Sequence, residues 1–233
     1  GDLACPFRGV SINSRTVAKG ELFICIQGNR FDGHDFLTDV IEKKVGGIIL
    51  SNPEKLPSKP VRHEKEPFVI HVQDTLKALQ NLASFQRKRF PFQVVAVTGT
   101  NGKSTTKEMI ASILETKFKT LKTQGNLNNH IGLPLTLLKR EPSHEMGVLE
   151  LGMSAAGEIK RLAEIAQPDI GVITNISEGH LVQLKSRKDI QSAKGELFNA
   201  LTEESTAIVN ADDPLVLELA RSLRAKTVTF GID

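Results

Sequence analysis

Apolar positions recur along this chain with two periods, and the alternation between them predicts its elements. In the first third, strand-like runs at Glu21–Ile26 and Gly46–Leu50 flank Asp35–Lys44, where Phe36, Leu37, Val40 and Ile41 have helical spacing. The stretch from Asn52 to Pro67 carries Pro53, Pro57, Pro60 and Pro67 among charges and reads as an irregular surface loop. Thr75–Phe90 predicts an amphipathic helix, with Leu76, Leu79, Leu82, Ala83 and Phe85 as its apolar side and Asp74 able to cap its start. It ends in Arg87-Lys88-Arg89, expected to lie in solvent and complement the helix C-terminus. Pro91 then marks a boundary between a first domain over residues 1–90 and a second over 91–233.

Beyond Pro91 the periods alternate regularly. Strands are expected at Phe92–Val97, Gly147–Leu151, Ile170–Ile176, Thr206–Asn210 and Thr227–Phe230. Helices are expected at Ser104–Phe118, His130–Lys139, Glu158–Ala166, Lys188–Leu201 and Pro214–Leu223. Such alternation implies an α/β fold: a mainly parallel sheet with helices on both faces, three layers in all, following a small α/β N-terminal domain.

Composition narrows the function classes. Hydrophobic residues make up 39% and charged residues 24%, ordinary for a globular protein. The net charge of +3 gives no reason to expect a nucleic-acid partner. No apolar run approaches the ~20 residues of a membrane span. The opening GDLACPFRGVSI lacks the basic start and apolar run of a signal peptide. Cys5 and Cys25, without metal spacing, suit a reducing cytosol, so a cytoplasmic location is expected.

The strongest chemical signal is Val94-Val95-Ala96-Val97-Thr98-Gly99-Thr100-Asn101-Gly102-Lys103-Ser104-Thr105-Thr106. An apolar strand enters a glycine-containing turn and then a helix. Gly99 and Gly102 let the backbone turn its N–H groups inward, and the helix N-terminus adds partial positive charge. Thr98 to Thr105 therefore reads as a phosphate cradle. Lys103 is placed to reach the β- and γ-phosphates and the Ser104 hydroxyl to bind Mg2+. The general pattern G-x-x-x-x-G-K-[ST] is met except at its first glycine, where Val97 stands. Glu150 closes the apolar run Gly147–Leu149. In a parallel sheet, strand C-termini face the ligand crevice, so its carboxylate is placed to bind Mg2+ beside the loop.

TGTNGKSTT after an apolar strand resembles the Mur ligase family, which shares this loop with folylpolyglutamate and cyanophycin synthetases. Within the family, Gly125-Asn126-Leu127-Asn128-Asn129-His130-Ile131-Gly132-Leu133-Pro134-Leu135-Thr136 resembles the branch that adds D-alanyl-D-alanine to UDP-N-acetylmuramoyl-tripeptide. So do Glu150-Leu151-Gly152-Met153, Gly157-Glu158-Ile159 and Ala193-Lys194-Gly195-Glu196-Leu197-Phe198. Asn13-Ser14-Arg15 and Arg30-Phe31-Asp32-Gly33-His34-Asp35-Phe36 fit the same branch. The chain departs from the family pattern at Asn13, where Asp is usual, and at Val182, where Glu is usual. The family continues through the rest of its central domain and a third, C-terminal domain, so a truncated and by itself inactive chain is expected.

The resemblance implies an ATP-dependent amide-bond ligase of peptidoglycan synthesis, working through an acyl phosphate, monomeric, with Mg2+. It implies that His180 joins Ser104 and Glu150 as a metal ligand. It also implies that Lys194 is the lysine carbamoylated by CO2, supplying oxygens to a second Mg2+. That needs a neutral amine, hence a buried Lys194 with a lowered pKa. On the substrate side it implies that Ser14, Arg15, Asp32 and His34 hold the UDP part, with Arg15 as a bidentate pyrophosphate partner. Asn126, Asn128 and Asn129 are candidates for substrate carbonyls or phosphate, or for capping the following helix. Two alternatives remain open: a folate- or cyanophycin-type ligase on the same scaffold, and a nucleotide- or UDP-binding fragment without activity. Asp212-Asp213-Pro214 reads as a helix cap with a first-turn proline.

Overall fold

The computed structural model describes residues 7–28, 30–57, 66–177 and 186–232. The chain divides into two compact units, Gly1–Leu82 and Ala83–Asp233. The first holds a four-stranded parallel sheet of β1 (Val10–Ser11), β2 (Leu22–Ile24), β3 (Gly47–Leu50) and β4 (Phe68–His71), in that order. A 3-10 turn over Gly33–Phe36 leads into α1 (Leu37–Glu42), which buries Leu37 and Val40 against Phe23, Ile48 and Leu50. β1 and β4 have no counterpart in the hydrophobic pattern. β1 has two residues, and β4 follows directly on the proline-rich stretch.

The division between the units falls within α2 (Thr75–Arg89). Its basic end is not all in solvent, as the sequence suggested. Arg87 is buried, donating from Nε to the Ala166 carbonyl at 2.8 Å and from its Nη2 to the Gln167 carbonyl at 2.9 Å. It also pairs with Asp169 at 3.2 Å and stacks over Phe92. A guanidinium can be buried here because carbonyls and a carboxylate satisfy its donors.

The second unit is the expected doubly covered parallel sheet, and every pairing within it is parallel. Its strands are β5 (Gln93–Thr98), β6 (Thr120–Lys122), β7 (Met146–Glu150), β8 (Ile170–Ile173), β9 (Thr206–Asn210) and β10 (Lys226–Phe230). Their spatial order is β10-β9-β8-β5-β7-β6. Alternation along β5 makes the layers: Val94 and Ala96 enter one core, Val95 and Val97 the other. The first core also takes residues of α4 (Gly132–Leu138), α5 (Glu158–Ala166), α6 (Arg187–Asn199) and α7 (Pro214–Ala220). The second is covered by α3 (Lys103–Leu114) through Ile110, Ala111 and Leu114. β6 carries one buried apolar residue, Leu121, which is why periodicity missed it. Among the described residues no helix is long and apolar enough to cross a membrane.

Candidate active site

β5 occupies an interior position of the six-stranded sheet, and the phosphate-loop sequence leaves its C-terminal end. The loop is tight because its glycines meet two different demands. Gly102 takes φ +77° immediately before α3 starts at Lys103, a left-handed conformation natural to glycine. At Gly99 a Cβ would collide with the Thr174 hydroxyl, so only a bare backbone passes the end of β8. Val97, where the general pattern has glycine, is a fully buried strand residue. The loop is held from β8: the Thr100 N–H donates to the Asn175 carbonyl at 2.9 Å, and the Thr174 hydroxyl to the Asn101 carbonyl at 2.7 Å. Thr98 donates to the Leu151 carbonyl at 2.8 Å, joining the loop to the end of β7.

Lys103 folds back over this turn, donating to the carbonyls of Gly99 at 3.0 Å and Thr100 at 2.9 Å. Burial lowers the pKa of its ammonium, and Glu150 opposes that shift. Ser104 and Thr105 are exposed on the first turn of α3. The Ser104 hydroxyl donates to Glu150 Oε2 at 2.8 Å, so the two residues expected to share Mg2+ already meet. Glu150 is 2% exposed, and its other oxygen accepts from the Asn128 amide at 2.8 Å. A hydroxyl and a carboxylate side by side are hard oxygen donors of the kind Mg2+ prefers. They fit an ion that takes its remaining ligands from phosphate and water. Among the described residues no group of three or more His, Cys, Asp and Glu could hold a metal by itself.

Lys194, in the middle of α6, is 1% exposed. Its side chain lines a cavity of about 360 Å3 together with Lys103, Asn126, Asn128, Asn129 and Glu158. Among the described residues no hydrogen bond or ion pair reaches its amine. Burial, and after it the Lys103 charge, push its pKa down to about 7. The cavity thus has two lysines, a glutamate and several amides on its wall at the C-terminal edge of a parallel sheet, where such folds take their ligands.

Comparison with known proteins decides the family. The Mur ligase middle domain matches residues 97–233, and the Mur ligase family catalytic domain matches residues 6–87.

The chain belongs to the Mur ligase family.

It is 44% identical to the UDP-N-acetylmuramoyl-tripeptide–D-alanyl-D-alanine ligase of Bacillus subtilis, over 99% of this chain and 50% of that protein. Among solved structures it resembles MurF from Acinetobacter baumannii, with TM-score 0.85 and 34% identity over 95% of this chain and 48% of that one. MurF from Thermotoga maritima in complex with ADP superposes with TM-score 0.83 and 34% identity, over 96% of this chain and 50% of that one. The chain spans about half the length of the curated relatives it matches.

The other candidate residues of this Mur ligase chain fall in distinct places. Asn129 caps the helix start, accepting from the Ile131 and Gly132 N–H groups at 3.1 and 2.8 Å. Asn128 serves Glu150, and Asn126 is exposed at the cavity. Asp213 caps α7 through the N–H groups of Leu215 and Val216, as the Asp–Pro sequence suggested. His180 and Val182 lie outside the described residues.

In the first unit, Ser14 and Arg15 line a surface cavity of about 570 Å3 with Phe36, Asp39, Glu42 and Lys43. Lys43 holds that turn by donating to the Ser14 and Arg15 carbonyls at 2.6 and 2.7 Å. Asp32 and His34 are not on its wall. His34 is buried, with Nδ1 on Asp32 and Nε2 accepting from the Ser51 N–H at 2.9 Å. Burial would raise the Asp32 carboxyl, but hydrogen bonds from the His34 backbone and ring and from Lys55 outweigh it and hold it at about 2. Ser51, His34 and Asp32 resemble a nucleophile–base–acid series only in composition. Nε2 already accepts a backbone N–H, so it is not free to take a hydroxyl proton.

Sequence reasoning missed two residues at this site. Thr123 follows β6 and is fully buried, accepting from the Glu150 N–H at 3.0 Å. Glu196, two residues from Lys194, accepts from the Gly157 and Lys160 N–H groups at 2.7 and 2.8 Å and so caps α5, which begins at glycine. Neither role has a sequence signature, because each partner is distant along the chain.

Proposed function

We propose that this chain is the UDP-substrate-binding and ATP-binding part of a cytoplasmic ligase that joins D-alanyl-D-alanine to UDP-N-acetylmuramoyl-tripeptide. The observation that carries this reading is one cavity wall holding Lys103, Lys194 and Asn128, with Ser104 and Glu150 hydrogen-bonded to each other and Asn128 bonded to Glu150. The names of its relatives supply the substrates.

In the proposed reaction a carboxylate oxygen of the tripeptide attacks the γ-phosphorus of ATP and ADP leaves. The amine of D-alanyl-D-alanine then attacks the acyl carbon, phosphate departs and the amine loses its proton. The first-turn N–H groups of α3, at Lys103–Thr105, cradle the phosphates, those of Thr100 and Asn101 being bound to Asn175, and Lys103 leaves its carbonyl partners to meet them. Ser104 and Glu150 would hold Mg2+, with His180 joining them by family resemblance. Mg2+ supplies positive charge against the phosphate oxygens. The Lys194 amine, neutral in part near pH 7, adds to CO2 with loss of a proton and becomes a carbamate, which turns a cation on the cavity wall into an oxygen donor. Ser14, Arg15, Asp32 and His34 serve the UDP end. Arg15 is the direct contact, and His34 acts by fixing the turn that carries Asp32.

The test is calorimetry on the 233-residue chain. It binds ATP and the UDP-linked tripeptide, and folate does not displace the latter. Because the chain spans about half the length of the relatives it matches, no ADP release is expected from it with all three substrates. Failure to bind the UDP-linked peptide, displacement by folate, or robust ADP release overturns the reading.

A further inference from the structure

Glu150 is held more firmly than a metal-binding carboxylate at a strand end needs to be. Three elements converge on it. Ser104, on the first turn of α3, donates to Oε2 at 2.8 Å. Asn128, in the loop before α4, donates to Oε1 at 2.8 Å. Asn128 is itself fixed, because its carbonyl accepts the Gly152 N–H at 2.8 Å and any Cβ at Gly152 would press on its amide at 2.8 Å. The third restraint acts on the backbone. β6 ends at Lys122, which pairs with Val148, two positions short of Glu150. The Thr123 hydroxyl takes over, accepting the Glu150 N–H at 3.0 Å, while the Thr123 N–H reaches the Val148 carbonyl at 3.1 Å.

Thr123 is in turn held from α3. The Lys107 ammonium, one helical turn after Lys103, donates to the Thr123 carbonyl at 2.8 Å. Lys107 is 1% exposed and pairs with Glu108 at 2.7 Å. A buried lysine is costly unless its donors are used. Here they tie the helix that presents Ser104 to the strand end that positions Glu150.

We infer that Thr123 is a positioning residue for the metal-binding carboxylate, with Lys107 as its support. This rests on the proposed nucleotide and Mg2+ site. The hydroxyl sets the height of Glu150 on its strand, so that its carboxylate stands beside the Ser104 hydroxyl, where the two would hold the ion. Neither residue touches nucleotide. Their effect falls mainly on the metal-dependent part of binding, because the loop Thr98–Gly102 is held chiefly from β5 and the end of β8, and touches the β7 end through Thr98 on Leu151 rather than through Glu150.

The experiment is ATP titration of the 233-residue chain by calorimetry, with Mg2+ and with chelator, for wild type and three variants. In wild type Mg2+ tightens ATP binding. Thr123→Val keeps the branched shape and removes the hydroxyl, so the Mg2+ increment falls about tenfold, the scale of one lost buried hydrogen bond. Metal-free ATP affinity stays within about twofold. Thr123→Ser restores the increment. Lys107→Met, which leaves the hydroxyl in place, lowers the increment by a smaller factor, and it decides the matter if Thr123→Val does not fold. An unchanged increment in these variants, or parallel loss with and without Mg2+ that Ser does not rescue, overturns the inference. A wild-type chain whose ATP affinity ignores Mg2+ overturns the underlying site, and the inference with it.

Discussion

Two buried polar side chains, one in each unit, differ in how their polar atoms are engaged. His34 is 3% exposed and Lys194 is 1% exposed. Both ring nitrogens of His34 are engaged, with Asp32 on one side and the N–H groups of Ser51 and Asn52 on the other. Because Nε2 accepts, Nδ1 carries the proton. Lys194 faces a cavity, without a hydrogen bond among the described residues, and its nearest electrostatic influence is another cation, Lys103. Burial of a polar group therefore does not mark a site by itself. A satisfied network rigidifies its surroundings. A buried lysine without a hydrogen bond among the described residues costs stability instead, which is why its pKa falls to about 7.

That contrast can be broken by substitution, and the largest effect belongs to the open site. Lys103→Ala in a ligase-competent chain should lower ATP-dependent turnover by at least ~10²-fold, the scale of one lost charge-stabilising group. Steady-state ADP release reads it, and full activity would remove Lys103 from the phosphate site. His34→Ala, in the closed network, should destabilise the first unit by about 2–3 kcal/mol, because the Ser51 and Asn52 N–H groups lose their acceptor. Urea unfolding measures it.

Lys194→Met should do the opposite and raise the melting temperature at neutral pH, by roughly 2–4 °C per kcal/mol gained. The sign follows from linkage. The folded pKa of Lys194, about 7, lies below its ordinary 10.5, so the unfolded chain binds more protons between those values. Wild-type stability should therefore rise as pH climbs from about 7 to 10.5, and the advantage of Lys194→Met should shrink over the same window. Asp32 has the converse behaviour. With its pKa held at about 2 against an ordinary 3.8, its contribution is present above 3.8 and is lost as pH falls towards 2. The smallest effect is expected at Asn129→Ala, a lost helix cap of about 1 kcal/mol, with ATP affinity unchanged.

The same contrast explains what was legible in the sequence. The second sheet could be read because its central strands are apolar on both faces and its helices have one apolar side, as in Val94–Val97 and Ile159–Ala166. β6, with only Leu121 buried, could not. The strand–turn–helix at Val94–Thr106 is local, and its shape could be read whole, down to the glycines. The amides of Asn126, Asn128 and Asn129 were visible as a group but not separable, since one caps a helix and one serves Glu150 through a long-range contact. Arg87 reads as one of three basic residues at a helix end. Its burial depends on carbonyls about 80 positions away, at Ala166 and Gln167. Family resemblance singled out Lys194, but only the packing of α6 shows that its amine is buried on the same cavity wall as Lys103.

The most direct test of the account follows backbone amide NMR signals of the chain during titration with ATP and Mg2+. The account expects the largest shifts at Gly99–Thr105, Glu150 and Lys194, and none at His34, Ser51 and Asn52. Shifts centred on the His34 network, or no response from the loop at saturating ATP, would contradict the claim that the strand-end cavity of the second unit is the nucleotide site.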